Sequence, residues 1–276
     1  MKSQTLIFRL ALAGYSRIAA GIPLTKLLDT PQRLLRDAVS GRPRQFRPQD
    51  NVVRIDAAKL ELRETELRRE LARFSKWTSR LGYAPGTAGN LSVRLDKERI
   101  LATPTGCSKY LLRPSDMVIT DLDGHLLSGT RNVTSEIGMH LTIYRNRPDV
   151  EAVVHAHPPI ATAFASCGLA LDTPLCAELV MTLGSIPLAP YATPGTEELG
   201  ASIEPLLPDH DAILLANHGA VTFGKDLQDA MMKMETTEHF AQVCLATCEI
   251  GSPRPLENTA VDQLKQAREK YLKNCQ

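Results

Sequence analysis

One short run constrains this chain more than any other: Ala152-Val153-Val154-His155-Ala156-His157-Pro158. Its β-branched residues read as an interior strand, and the proline ends it. A residue before proline is pushed toward extended geometry, so the strand is expected to hold through His157. Residues i and i+2 of a strand share a face, so His155 and His157 project side by side. Two imidazoles offered in this way are spaced to chelate one ion, and zinc accepts such nitrogens at about 2 Å. Taken alone, the pair also fits two partly buried histidines bonded to backbone.

The rest of the chain alternates short apolar runs with helical periods. Gly41–Asn51 (GRPRQFRPQDN) is rich in proline and arginine and reads as a linker. Leu62, Leu67, Leu71, Phe74, Trp77 and Leu81 then recur at helical spacing, with Gly82 as the stop. Leu91–Arg94 and Ile100–Ala102 read as strands, and Asp123-Gly124 joins Met117–Thr120 to His125–Leu127 as a hairpin. Helices are expected over Ser135–Arg145, Pro159–Ser166 and Gln263–Leu272, and from an Asp226 cap to about Ile250 before Gly251. Ala212–Ala216 and Val221–Phe223 read as strands. This alternation is that of an α/β chain, and by itself it favours a parallel sheet.

His218 follows the apolar run Ile213-Leu214-Leu215 and precedes Gly219. A histidine at a strand end lies where α/β folds build sites, although many such residues are structural. With His155 and His157 it would complete three ligands and leave a coordination position open, as a catalytic metal requires. Glu136, at an expected helix start, supplies a carboxylate to move protons; read alone, it is equally a first-turn acid favoured by the helix dipole. Gly86–Asn90 and Thr103–Gly106 offer turn N–H groups to an anion, and Thr134 and Ser135 lie at a helix N-terminus. His125 and His210 in turns, and His140 and His239 on expected helices, read as bystanders.

Charge separates the ends of the chain. Residues 1–50 hold nine Lys or Arg against three Asp, a net +6, whereas the whole chain carries +1. That balance gives no argument for a nucleic-acid partner, and the basic part reads as an extension and linker over residues 1–60. Leu6–Leu24 is broken by Arg9 and Arg17, so it reads as an amphipathic surface or docking helix rather than a membrane span. A presequence or membrane-surface anchor within residues 1–24 is the other reading. The six cysteines form no C-x-x-C pair, which points to reduced thiols and a cytoplasmic setting. Cys244 and Cys248, four apart on a helix, read as packing residues.

Six segments together resemble the class II aldolase/adducin family over roughly Glu61–Gly251, with the L-fuculose-phosphate aldolases the nearest in pattern. They are GTAGNLSVR (Gly86–Arg94), ATPTG (Ala102–Gly106), TSE (Thr134–Glu136), AVVHAHPP (Ala152–Pro159), IPLAPYATPGTEEL (Ile186–Leu199) and LLANHGAV (Leu214–Val221). The resemblance implies a three-layer α/β/α sandwich around a mainly antiparallel sheet, in a domain over residues 61–251 with a helical tail over 252–276. It implies a homotetramer with sites at subunit interfaces, and a small phosphorylated sugar as substrate. His155, His157 and His218 would hold Zn2+, with Mn2+, Co2+ or Fe2+ also compatible, and Glu136 would be the acid/base. Asn90, Thr105, Gly106, Thr134 and Ser135 would bind the substrate phosphate.

The implied reaction is reversible cleavage of a ketose 1-phosphate, L-fuculose 1-phosphate-like, into dihydroxyacetone phosphate and an aldehyde. Dehydratases, an epimerase, decarboxylases and non-catalytic adducin-like binding modules share the family. Glutamate at 136 matches the aldolase pattern rather than the aspartate of the epimerase, and the intact histidine triad argues against an adducin-like module. One departure stands out. The fuculose-phosphate aldolases carry a proton-donating tyrosine just before the IP-x-APYAT segment, whereas Leu175–Leu183 (LCAELVMTL) has none. Glu178 lies nearest to that position and is the candidate second donor.

Overall fold

The computed structural model describes residues 48–274, with side chains from 59 to 270. The helix expected over Leu6–Leu24, with its membrane and presequence readings, lies outside the described residues, as does Cys275. The chain divides into two units, Met1–Asp56 and Ala57–Gln276, and the architecture below is that of the second.

The first described helix, α1, spans Pro48–Arg80, so the described end of the expected linker is helical instead. Proline is tolerated in a first helical turn, where its missing N–H has no intrahelical partner in any case. Leu71 and Phe74 of α1 enter the core, and Trp77 stacks on Phe74 with ring centroids 5.6 Å apart. Gly82 ends the helix at φ +79°, a conformation open to glycine at little cost.

Eight strands follow: β1 Asn90–Arg94, β2 Arg99–Ala102, β3 Val118–Asp121, β4 Leu126–Ser128, β5 Ala152–Ala156, β6 Leu188–Ala189, β7 Ala212–Leu215 and β8 Gly219–Gly224. They form one sheet in the order β4-β3-β2-β1-β5-β8-β7-β6. Every neighbouring pair is antiparallel except β6 with β7. The parallel sheet expected from alternation alone is therefore wrong, and the mainly antiparallel one is right. Short strands joined by hairpins and by long returns can alternate with helices without any βαβ crossover.

The remaining helices are α2 Ile137–Asn146, α3 Pro159–Ser166, α4 Ala177–Thr182, α5 Glu197–Ile203, α6 Leu227–Ile250 and α7 Asn258–Asn274. They cover both faces of the sheet. On one face Leu91, Val93, Val154 and Leu214 pack with α1, α3 and α6 residues such as Phe74, Ala161 and Met234. On the other, Ile100, Val153, Ile213 and Phe223 pack with Met139 and Ile143 of α2 and with Leu199 and Ile203 of α5. This is the α/β/α sandwich, and the period of two along each strand sorts the side chains between its two cores.

Several boundaries moved. β5 stops at Ala156, one residue short of His157, whose N–H turns away from the sheet to Tyr83 O at 2.7 Å. α2 starts at Ile137 rather than Ser135. The short elements α4, β6 and α5 were not anticipated, because two to seven residues are too few to display a period. Cys244 is buried as expected, but Cys248 is exposed, and no described cysteine is in a disulfide. Among the described residues no helix is long and apolar enough to cross a membrane.

One buried acid ties the layers together. Glu238 of α6 is 2% exposed, and its carboxylate accepts the N–H groups of Ile160 and Ala161 at 2.9–3.2 Å. It caps α3 from another helix, directly after His157-Pro158. Removing it leaves buried donors unpaired, which costs about 1–3 kcal/mol. Glu238→Ala should therefore lower Tm by several degrees, at roughly 2–4 °C per kcal/mol for a domain of this size. An unchanged melting curve would reject this role.

Candidate metal and acid/base site

Three backbone segments bring His155, His157 and His218 together. His155 lies on β5, central in the sheet and paired with Asn90 on one side and Val221 on the other. His157 is two residues on, past the strand end. His218 sits in the turn between β7 and β8, where its N–H closes on Leu215 O at 3.0 Å. That turn needs Asn217 at φ 56°, a left-handed conformation that asparagine adopts more readily than most residues. The three ring centroids are 4.7–5.0 Å apart, and one nitrogen from each ring lies within 4.8 Å of the others.

Two glycines make the approach possible. A Cβ on Gly219 would stand 2.5 Å from Ala156 O and 2.7 Å from His157 Cδ2, so β8 can press against the end of β5 only as glycine. A Cβ on Gly89, at φ +71°, would meet His155 O at 2.9 Å. Glycine there lets Asn90 enter β1 directly beside His155.

The hydrogen bonds fix the state of the rings. His155 Nδ1 faces Ala220 O at 2.9 Å, and a carbonyl only accepts, so Nδ1 carries the proton and Nε2 a lone pair. That Nε2 lies 3.1 Å from His157 Nε2. Burial pushes the His155 imidazole down to about 3, and it lowers His157 as well, so both rings are neutral. Glu136, 8% exposed, completes the group: Oε2 is 3.4 Å from His155 Nε2 and Oε1 is 3.1 Å from His218 Nε2. Oε1 nevertheless has no aligned hydrogen-bond donor. Burial alone would raise the Glu136 carboxyl, but the Asn90 N–H at 2.7 Å and the adjoining His218 ring favour its charged form and hold it below the usual carboxylate range. Imidazole nitrogens and a carboxylate oxygen thus turn lone pairs toward one space, and this donor set fits a divalent cation.

The loops expected to bind an anion converge beside it. Thr103 joins Leu91 through backbone and side chain, and Thr105 N–H bonds Asn132 O at 3.1 Å beside the bridge between Pro104 and Val133. Thr105, Gly106 and Ser135 are exposed, whereas Asn90 and Thr134 are buried. Glu178 is not brought to the group within one chain. It stands exposed on α4, the helix that packs on α7, and is absent from the donors that converge with the histidines. A second group, Asp121, Asp123 and His125, is exposed at the β3–β4 hairpin, and Asp121 is already bonded to the hairpin N–H groups and the His125 ring.

Two participants were not legible in the sequence. Lys109 is 1% exposed, and its Nζ donates to Thr87 O at 2.9 Å and Cys107 O at 2.8 Å, pinning the two glycine-bearing loops to each other. His140 of α2 is fully buried, with Nε2 2.5 Å from Asn90 Oδ1. Neither sits in a motif that would announce it.

The comparisons with known proteins agree with this geometry. The model of the Class II Aldolase and Adducin N-terminal domain matches residues 69–245. The 3-oxo-tetronate 4-phosphate decarboxylase of Escherichia coli K12 is 37% identical over 210 residues, which is 74% of this chain and 96% of that protein. The 5-deoxy-D-ribulose 1-phosphate aldolase of Bacillus thuringiensis is 35% identical over 206 residues, 74% of this chain and 96% of its own. The solved structure of YgbL from Escherichia coli superposes with a TM-score of 0.68 at 36% identity, covering 73% of this chain and 99% of that one. The chain therefore belongs to the class II aldolase/adducin family.

Proposed function

We propose that this chain is a divalent-metal enzyme that breaks a carbon–carbon bond beside the ketone of a small phosphorylated substrate. The bond we assign is the one to a carboxylate: a 3-oxo sugar-acid phosphate loses CO2 and leaves dihydroxyacetone phosphate. His155, His157 and His218 would hold the ion, zinc in the first instance, with manganese, cobalt or iron open to the same ligands. A cation bound there would supply Lewis-acid charge for the electrons released toward the ketone.

The observation that carries this choice is that Glu136 is the one acid group converging with the histidines among the described residues. Decarboxylation needs a single proton step. The bond from the carboxyl carbon to its neighbour breaks, its electron pair passes into an enediolate, and CO2 departs without a base. Glu136, recharged with a proton from water, delivers it to the carbon that lost CO2. Aldol cleavage also needs a base for the hydroxyl that becomes the aldehyde, and here Leu175–Leu183 has no tyrosine and Glu178 is exposed on α4. The similarity to the Escherichia coli decarboxylase supports the same choice. Asn90, Thr105, Gly106, Thr134 and Ser135 would hold the phosphate and so fix the ketone over the site.

Cleavage of a ketose 1-phosphate is the second reading. It is favoured by the Bacillus thuringiensis relative, and it delivers a proton to the equivalent carbon. A panel of 3-oxo sugar-acid phosphates and ketose 1-phosphates, with products identified, separates the two. CO2 with dihydroxyacetone phosphate is expected from the acids. An aldehyde with dihydroxyacetone phosphate from the ketoses, and no turnover of the acids, would reverse the order. Loss of water or inversion at a carbon without cleavage would reject both.

A further inference from the structure

We infer that His140, backed by Ser92 and Tyr144, is a positioning residue for Glu136: its Nε2–H anchors the Asn90 amide oxygen and so keeps the amide N–H aimed at the carboxylate. The inference rests on the reading of Glu136 as the group that moves the proton. Five buried side chains form an unbroken line across the sheet and α2. Tyr144 Oη lies 2.9 Å from Ser92 Oγ, and Ser92 Oγ lies 2.7 Å from His140 Nδ1. His140 Nε2 lies 2.5 Å from Asn90 Oδ1, and Asn90 Nδ2 lies 2.7 Å from Glu136 Oε2. None of the five is more than 8% exposed.

The direction of every bond follows from the last. A carboxylate only accepts, so the end of the Asn90 amide at Glu136 must be the NH2. The other end is then the carbonyl oxygen, and His140 Nε2 must carry the proton it receives. A neutral ring with Nε2–H keeps a lone pair on Nδ1, which takes the Ser92 hydroxyl proton. Ser92 Oγ is then free to accept from Tyr144. Burial holds His140 down to about 3, so the ring stays in this neutral form. The carboxylate sets which end of the amide faces it, and the His140 N–H anchors the other end from behind.

The arrangement also changes how Asn90 is read. Its oxygen and one of its N–H bonds are committed to this line, which leaves a single N–H for a substrate phosphate. Asn90 is first a holder of the carboxylate, and His140 anchors it in place.

His140→Leu tests this in the metal-loaded full-length chain. A crystal structure of the variant should show the Asn90 side chain shifted from its place and its bond to Glu136 lengthened or lost. Exchange of the dihydroxyacetone phosphate C–H proton with solvent deuterium should fall about 10–100-fold, the range found when a partner behind a reacting group is removed. Stoichiometric metal should stay as in the unaltered protein, whereas a merely structural role would lower metal content and exchange together. His140→Gln keeps an N–H for the Asn90 oxygen, so it should recover most of the exchange, and it also serves if the leucine variant does not fold. An Asn90 side chain in its unaltered place against Glu136 in the leucine variant, or exchange at the wild-type rate, would overturn the inference. A neutron structure of the unaltered chain reads the arrangement whatever reaction the enzyme performs: a deuteron on His140 Nε2 is expected, and one on Nδ1 alone would overturn it.

Discussion

His155→Ala is expected to abolish metal binding and turnover together, while the purified protein stays folded. Among the described residues three imidazoles are the nitrogen donor set at this point, and His155 is the best fixed of them. Its ring is fully buried on the central strand and its Nδ1–H is held by Ala220 O at 2.9 Å. Loss of a group that merely orients a ligand weakens metal binding or activity about 10–100-fold, so loss of a ligand itself should exceed that. Two imidazoles and a carboxylate would remain, and they would exchange the ion quickly. The substitution leaves a cavity beside Asn90 and Val221, which costs some stability, so circular dichroism at the assay temperature must accompany the metal analysis. Elemental analysis is the deciding measurement. Stoichiometric metal retained in the alanine variant would place the ion elsewhere, and full activity in a metal-free preparation would remove the metal from the proposal altogether. His218→Ala should behave in the same way. His239→Gln and His210→Gln should not, because neither residue converges with the triad.

The legible part of this site is the part that backbone periodicity creates. His155 and His157 were predictable neighbours because a strand repeats every two residues and proline fixes its end. The two rings still meet although the strand stops at Ala156, with the His157 ring centroid 5.0 Å from those of His155 and His218. His218 was legible only as a histidine at a strand end. That it meets the other two depends on β8 lying beside β5, a non-local pairing that no local pattern reveals. Glu136 could not be told from an ordinary first-turn acid without the family's TSE segment. His140, Ser92 and Tyr144 were invisible for the opposite reason. On a strand or helix with the correct apolar period, a serine, a histidine and a tyrosine look like tolerated polar residues, and only the packing of α2 on the sheet aligns them. Lys109 is subtler still, for a lysine after a Thr-Gly turn reads as a solvated charge, yet it is nearly inaccessible. The fold followed the same division. Long helices and the β3–β4 hairpin were readable, whereas strand direction was not, because alternation of element types carries no information on it.

Glu136→Gln should keep the metal and lose the chemistry. Glutamine has the shape of glutamate, and its carbonyl oxygen can accept the Asn90 N–H now given to Oε2 at 2.7 Å. The line from Tyr144 through His140 to Asn90 is therefore preserved, and the three histidines are untouched. What disappears is a group able to carry a proton between solvent and carbon. A positioned acid/base group is worth about 10²–10⁴-fold, so kcat should fall by that factor. KM should change little, because the phosphate contacts assigned to Thr105, Gly106, Thr134 and Ser135 do not involve the carboxylate. Both readings of the reaction pass through protonation of an enediolate at the carbon that ends as a C–H of dihydroxyacetone phosphate. Solvent-deuterium exchange into that position therefore tests Glu136 without a choice of substrate. The exchange should become undetectable in Glu136→Gln, with the metal content of the unaltered protein. If exchange continues at the wild-type rate, the proton is carried by another group, and the acid that lies against His155 and His218 is there for a different purpose. Loss of metal in this variant would point to that purpose: Glu136 would then be a ligand in the resting site, and the structural fact behind it would be Oε1, buried, 3.1 Å from His218 Nε2 and without an aligned donor of its own.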